Sequence, residues 1–533
     1  MREVDRLTTE RYAVPGLLLM EAAASRTVEA IEHKYGPGAG KRVLIICGRG
    51  NNGGDGAAVG RQLRARGAAV DILLLGRMDE TRGDARTNFA IARALPGSEA
   101  GCFGIKQIDT AERLWLEAEE APPYDIIVDA IFGTGLARPA AGLFADAIRL
   151  INERSSGSAV VVAVDIPSGL ASDSAELIGP AVRAALTVTL TAPKLGNVLP
   201  PACEYNGELV IAPIGSPDDL INSSGSHLNL VEKAMVRRWL DESRRAPHAN
   251  KGDAGKVLII AGSRGKTGAA CLVGEGAMRA GAGLVTVATP ETCQSVVAAR
   301  LITECMTEPL RETSSGSVSS EALERAVELA GGRDVVAMGP GLGSSDESTR
   351  AFVRSFVGGR QRPLVLDADA LNALAPWPGE LGGSPGLPLV ITPHPGEMAR
   401  LADLPLAEVI KDRVETARNF AVAHAMIVVL KGSRTVIAAS NGEIYINPTG
   451  NPGMASGGTG DTLTGIIGGL LAQKRDDPLM AAIAGVYLHG LAGDIAAARL
   501  GTRAMMASDI SSHLGAAFLE AGGPAEGMAK RFD

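Results

Sequence analysis

The densest chemistry in the chain lies in Gly457-Gly458-Thr459-Gly460-Asp461, where small residues deliver a carboxylate to the start of an apolar stretch, Leu463–Ala472. Gly and Thr at a helix start turn backbone N–H groups toward an anion, and the helix dipole favours its charge. In the first turn, Asp461 is placed to take a proton from a hydroxyl that attacks a phosphoryl group. Such transfers need positioning and charge neutralisation more than covalent chemistry. A capping role accounts for an Asp at this position, but not for the glycine run before it. Lys431-Gly432-Ser433-Arg434-Thr435, after an apolar run, offers a cation, hydroxyls and backbone groups to a nucleotide. Gly339-Pro340-Gly341-Leu342-Gly343 is another strand-end glycine loop, and His394 stands between two prolines in Thr392-Pro393-His394-Pro395-Gly396-Glu397. Lys251-Gly252 and Gly262–Thr267 are expected to close the anion site. Gly265-Lys266-Thr267 is not a P-loop, because the upstream Gly has the wrong offset.

The N-terminal half carries a second constellation. An apolar run ends in Cys47-Gly48-Arg49-Gly50-Asn51-Asn52-Gly53-Gly54-Asp55-Gly56. The spacing is not that of the dinucleotide fingerprint, and a tight strand-to-helix turn explains the glycines but not the two Asn and the Asp. Two further loops follow apolar runs: Asp129-Ala130-Ile131-Phe132-Gly133-Thr134-Gly135-Leu136 and Asp165-Ile166-Pro167-Ser168-Gly169-Leu170. The carboxyl ends of parallel strands line one crevice, so Asn52, Asp129, Asp165 and Ser168 are expected to converge there. Oxygen donors of this kind suit a hard cation. Each Asp alone is as well explained as a helix cap.

The elements that must position these loops alternate along the chain. Val43–Cys47, Val70–Leu75, Ile126–Ala130, Ala159–Val164 and Leu186–Leu190 are short apolar runs, separated by stretches such as Gly56–Arg66 and Ala141–Arg154. Near-continuous apolar strands between helices imply an α/β fold with a parallel sheet covered on both faces. Pro213–Leu230 is polar and rich in Gly, Ser and Pro, which suits a linker. After a helix at Val231–Leu240 the alternation resumes with strands at Val257–Ala261, Leu284–Ala288, Val335–Met338, Leu364–Leu366, Leu389–Ile391 and Ile427–Leu430. Ile437–Ile446 reads as a hairpin turning at Asn441-Gly442. Two α/β domains are therefore expected, at 1–220 and 228–533.

With 533 residues and 46% hydrophobic content, the chain has ample core for both. A net charge of −8 and 3% aromatics argue against a nucleic-acid binder. None of the six cysteines forms a CxxC pair, which argues against a zinc site or a disulfide framework. Uncharged runs such as Pro478–Gly493 fall short of the roughly 20 apolar residues a membrane helix needs. A cytoplasmic protein without membrane partners is expected, as a homo-oligomer.

At this point the motifs resemble known families. MREVDRLT…VPGLLLME, NNGGDG, DAIFGTGL and VDIPSGL closely resemble the N-terminal domain of NAD(P)H-hydrate epimerases, over nearly all of residues 1–215. The resemblance implies a Rossmann-like domain that interconverts the R and S hydrates of NADH and NADPH. Carried over, Asn51, Asn52, Gly53, Gly54 and Asp55 contact the hydrated nucleotide, together with Gly133-Thr134-Gly135-Leu136-Ala137-Arg138-Pro139. Asn52, Asp129 and Ser168 become K+ ligands, and Asp165 the acid–base group. There are two departures. Glu21 is followed by Ala22-Ala23-Ala24, where the family often has a triplet such as Asn-Ala-Gly. Relatives also usually carry residues before the equivalent of Met1, so the chain is expected to lack a short initial segment.

GGTGDTLTG, TPHPGE, GPGLG and KGSRTVI closely resemble the ADP-dependent NAD(P)H-hydrate dehydratases of the ribokinase-like superfamily, over about 240–515. This implies that ADP phosphorylates the hydroxyl of the S hydrate and that phosphate then leaves, restoring NAD(P)H. Ala269, Gly341, His394 and Asp461 then contact the hydrate, Lys431–Thr435 and Gly460 bind the adenine nucleotide, Asp461 is the base and Mg²⁺ bridges the phosphates. Asn250-Lys251-Gly252 stands where relatives often have His-Lys-Gly. ADP as donor follows from the bifunctional, bacterial-type arrangement and not from a particular residue. Two alternatives stay open. One is a ribokinase-like small-molecule kinase with a nucleotide-binding N-terminal module, which would release a stable phosphate ester. The other is an N-terminal half that binds partners or nucleotide without turnover.

Overall fold

The computed structural model describes residues 1–95, 103–155, 157, 159–223 and 225–522. The chain divides into two compact units, Met1–Ser226 and His227–Asp533.

Unit 1 is built on seven strands: β1 (Arg42–Cys47), β2 (Ala69–Leu75), β3 (Phe103–Ile108), β4 (Ile126–Ala130), β5 (Val160–Val164), β6 (Leu186–Leu190) and β7 (Glu208–Ala212). They pair in parallel in the order β3-β2-β1-β4-β5-β6-β7. Successive side chains point to opposite faces of a strand. Val43, Ile45 and Cys47 therefore join one core with helices Gly16–Tyr35, Asn51–Ala65 and Gly83–Ala94. Leu44 and Ile46 join a second core with helices Ala111–Glu120 and Leu143–Ser155. The result is a three-layer, Rossmann-like unit. Strand order reverses between β1 and β4, the switch point where such sheets open a crevice.

Unit 2 has ten strands: β8 (Leu228–Leu230), β9 (Lys256–Ile260), β10 (Leu284–Pro290), β11 (Met306–Leu310), β12 (Val335–Met338), β13 (Leu364–Leu366), β14 (Leu389–Ile391), β15 (Ile427–Leu430), β16 (Val436–Ala438) and β17 (Ile444–Ile446). Their order is β11-β10-β9-β12-β13-β14-β15-β16-β17-β8. The β16–β17 hairpin is antiparallel, with Gly442 at a φ of 87° in its turn. The stretch read as a linker holds a short helix, Asp218–Asn222, and ends in Leu228–Leu230, which pairs in parallel with β17 as an edge strand. Helices Thr459–Gln473, Pro478–Leu500 and Ala507–Gly522 fill one core with the inner strands.

Helix Pro478–Leu500 runs past Gly493, beyond the segment read as too short to span a bilayer. Its 23 residues and mean hydropathy of 1.5 make it long and apolar enough to cross a membrane by length and composition. In unit 2, however, 72% of its apolar window is buried within the fold, and Ile483, Leu488 and Ala492 are fully enclosed.

Candidate active sites

In unit 1 the carboxyl-end loops surround a cavity of about 1140 Å³. Asp129, the penultimate residue of β4, has no exposed surface and ties two loops by three bonds. Its carboxylate accepts from the Ser168 backbone N–H at 2.7 Å, from Ser168 Oγ at 2.6 Å and from the Ile131 N–H at 3.3 Å. Ser168 Oγ in turn accepts from the Phe132 N–H at 2.9 Å. Burial raises the Asp129 pKa to about 6, against the lowering effect of those bonds. Asp165, directly after β5, is held at a φ of 70°, a left-handed conformation that Asp tolerates better than most residues. Its Oδ1 accepts from the Leu190 N–H at 3.1 Å and pairs with Lys194. The Lys194 ammonium also donates to Thr189 Oγ1 and the Leu190 carbonyl, both at 3.0 Å. Only 4% of its side chain is exposed, so this is a buried ion pair rather than a surface one.

Gly133 brings the loops together. A Cβ there would lie 3.3 Å from Asp165 Oδ2 and 3.4 Å from Asn52 Oδ1. Asn52 is buried, and its Nδ2 has no hydrogen-bond partner among the described residues. The unit thus offers a donor set of carboxylate, hydroxyl and amide oxygens.

In unit 2, Asp461 lies in the first turn of helix Thr459–Gln473, behind Gly458 at a φ of 92°. Any side chain at 458 would also meet Leu272, with Cδ1 2.4 Å from a Cβ. Asp461 sits beside a buried ion pair. Lys431 Nζ donates to Asp367 Oδ1 at 2.6 Å, and Thr464 Oγ1, one turn along the helix from Gly460, donates to Asp367 Oδ2 at 2.8 Å. A Cβ on Gly460 would lie 3.1 Å from Lys431 Nζ. Burial raises the Asp461 pKa to about 6; the neighbouring Asp367 charge adds to the shift and Lys431 opposes it. Lys431 stays charged because Asp367 and Glu397 outweigh its burial. His489, in Pro478–Leu500, is kept neutral by burial, with its pKa lowered to about 4, and its Nε2 donates to the Thr459 carbonyl at 2.9 Å.

Two loops flank this centre. Lys431–Thr435 is tied down through its backbone by Arg413, which donates to the carbonyls of Ser433 at 2.7 Å, Leu430 at 3.2 Å and Arg434 at 3.3 Å. On the other side, Ser263 Oγ donates to the Gly341 carbonyl at 2.7 Å. Asp369 gathers Lys266 Nζ at 3.1 Å, the Gly343 N–H at 2.9 Å and Ser344 Oγ at 3.0 Å. Gly341, at a φ of 68°, approaches Ala269 so closely that a Cβ would lie 3.0 Å from the Ala269 Cβ.

Residues 16–196 match the family described as YjeF-related protein N-terminus, and residues 257–515 match NAD(P)H-hydrate dehydratase. The bifunctional NAD(P)H-hydrate repair enzyme of Moorella thermoacetica is 46% identical over 515 residues, covering 96% of this chain and 94% of the relative. The chain belongs to the family of bifunctional NAD(P)H-hydrate repair enzymes. The Escherichia coli repair enzyme is 38% identical, over 88% of this chain and 84% of its own. The ADP/ATP-dependent NAD(P)H-hydrate dehydratase of Bacillus subtilis, crystallised with ATP and Mg²⁺, is similar to 56% of this chain over its whole length, at 31% identity and a TM-score of 0.49.

Within this repair-enzyme chain, the structure sorts the residues named from sequence. Asn51, Asn52, Asp55, Gly133–Leu136, Arg138, Pro139 and Asp165 line the unit 1 cavity, while Ala137 stands outside the lining. Gly53 and Gly54 stand behind it and serve packing. A Cβ on Gly53 would fall 1.8 Å from the Gly48 carbonyl oxygen, and one on Gly54 2.6 Å from the Ala85 Cα. In unit 2, Ala269 and Gly341 form one wall, and Gly460 and Asp461 meet Lys431. His394 caps helix Pro395–Ala402, its Nδ1 accepting from the Gly396 N–H at 3.0 Å. The Arg434 guanidinium is engaged by the Pro448 carbonyl. Lys251-Gly252 does not close the anion site. It precedes β9 and packs on Gly283 just before β10, and in parallel strands that is the edge opposite the carboxyl-end loops. Sequence reading missed Lys194, Asp367, Thr464 and Arg413. Asp367 follows an apolar run as Asp129 and Asp165 do, and that position was the available signal.

Proposed function

We propose that unit 1 interconverts the R and S hydrates of NADH and NADPH with Asp165 as acid–base group, and that unit 2 dehydrates the S form with ADP, Asp461 serving as base. The observation that carries this reading is the Asp461 carboxylate. It is half-buried at a glycine-built helix start beside the Lys431–Asp367 pair, and no hydrogen bond or ion pair occupies it among the described residues. With a pKa near 6 it is ionised at neutral pH yet basic enough to accept a proton. Asp461 takes the proton of the hydrate's hydroxyl while that oxygen forms its bond to the terminal phosphorus of ADP and AMP leaves. The carbon–oxygen bond then breaks, inorganic phosphate departs and the adjacent ring carbon loses a proton, which restores the double bond. Lys431 and the N–H groups at Gly458–Gly460 balance the phosphoryl charge.

Among the described residues no three His, Cys, Asp or Glu side chains cluster to hold a metal. That fits Mg²⁺ carried mainly by the nucleotide's phosphates, where it would neutralise their charge. The oxygen set of Asn52, Asp129 and Ser168 fits K+, which would balance the buried Asp129 carboxylate and so fix the loop that carries Asp165.

The test is to incubate hydrated NADH with ADP and Mg²⁺ while following reduced-ring absorbance. Full recovery is expected, with AMP and free phosphate as products. Recovery of the S fraction alone would sink the epimerase reading, and a stable phosphate ester would support a kinase instead.

A further inference from the structure

The unit 1 cavity is lined by a carboxylate that no role above uses. Asp5 lies on helix Arg2–Tyr12, whose Val4 and Thr8 are buried in the fold and whose Tyr12 hydroxyl bonds Asp219. It shares the cavity with Asp165, Lys194 and Asp55. Its Oδ1 is buried and has no hydrogen-bond partner among the described residues. Asp165 and Lys194 act on it electrostatically, and Asp5 in turn acts on Asp55. Burial raises its pKa more than the Lys194 ammonium lowers it. Asp165, by contrast, is paired with Lys194. Two carboxyls in one cavity, one paired with a lysine and one without a partner, suit different roles, the paired one as acceptor and the unpaired one as donor.

Resting on the proposed epimerase reading, we infer that Asp5 is a second acid–base residue of unit 1, giving up the proton with which the hydrate's hydroxyl leaves as water. The carbon–oxygen bond breaks as the ring nitrogen's lone pair forms a double bond to that carbon. Asp5 ends as carboxylate. Water then adds to the other face of the same carbon, the pair returns to nitrogen, and Asp165 takes the proton released. Exchange of protons with solvent resets both groups. No oxidant or reductant is involved, and one oxygen is replaced for each inversion.

Asp5→Asn should lower the epimerase kcat by about 100-fold or more, the scale of a lost general acid. KM should change little. The decline of the wild-type rate as pH rises and Asp5 loses its proton should disappear, and Asp5→Glu should restore part of the rate. Dehydration of purified S hydrate should be unchanged. A wild-type rate, a loss confined to KM, or persistence of that decline would each overturn the inference. Asp165→Ala, assayed in parallel, separates the two claims: if it is inactive while Asp5→Asn is normal, only the role of Asp5 fails, and if both are active the epimerase reading of the cavity fails. Independently of any variant, wild-type enzyme in H₂¹⁸O should place one label in the hydroxyl per inversion. Inversion without label would overturn hydroxyl departure.

Discussion

Both sites hold a lysine–aspartate pair with a buried carboxylate, but they use it differently. In unit 1 the lysine, Lys194, pairs with the carboxylate proposed as the acid–base group, Asp165. In unit 2 the lysine, Lys431, pairs with Asp367, and Asp461 stands beside the pair. The same two residue types therefore place the lysine directly on one proposed base and only beside the other, whose upward shift it opposes in part. The second arrangement lifts a carboxyl toward neutral pH, because burial and a nearby negative charge both disfavour its ionised form.

The comparison can be broken most sharply at Asp461. Asp461→Asn should reduce dehydration by on the order of 10³-fold, within the span expected of a lost general base, while R and S hydrates still equilibrate on a chiral assay. Loss of both activities would mean the two sites do not work separately. Next are the lysines. Lys194→Met and Lys431→Met each strand a buried charge and should each cost about 3 kcal/mol of unfolding free energy, read by urea denaturation. Lys194→Met should also abolish epimerisation and spare dehydration of the S hydrate. If stability is unaffected in either case, the pair is not a buried one in solution. The smallest effect is in pH. Dehydratase kcat/KM should fall as pH drops below about 6, because protonation removes the Asp461 base, and should approach a tenfold loss for each further unit. A profile flat to pH 5 would remove Asp461 from the role.

What the sequence made legible follows from burial. The thirteen strands read from it are enclosed or internal to a sheet, where apolar runs are nearly continuous. The four it missed, β3, β7, β8 and β11, are the four sheet edges. Met306–Leu310 and Glu208–Ala212 are mostly half-buried or exposed, so Thr, Glu and Pro interrupt the pattern. At the sites, glycine runs announced Asp461 and Asn51–Asp55, both in the first turns of helices, because a helix start carries its signal in adjacent residues. Asp367 and Lys431 are 64 residues apart and Lys194 is 29 from Asp165. Such pairs exist only once the sheet has brought the strand ends together. Arg413 carries no motif at all, since it recognises carbonyl oxygens that every residue possesses.

Helices Thr459–Gln473, Pro478–Leu500 and Ala507–Gly522 share one core with strands made far earlier, among them β9 and β12. On the ribosome, unit 1 has all its strands before unit 2 begins, and can close while synthesis continues. Unit 2 must instead wait, with Val257, Ile259 and Val335 uncovered, until those late helices emerge. Order of manufacture therefore sets a long exposed interval for the half that carries Asp461, and a short one for the half that carries Asp165.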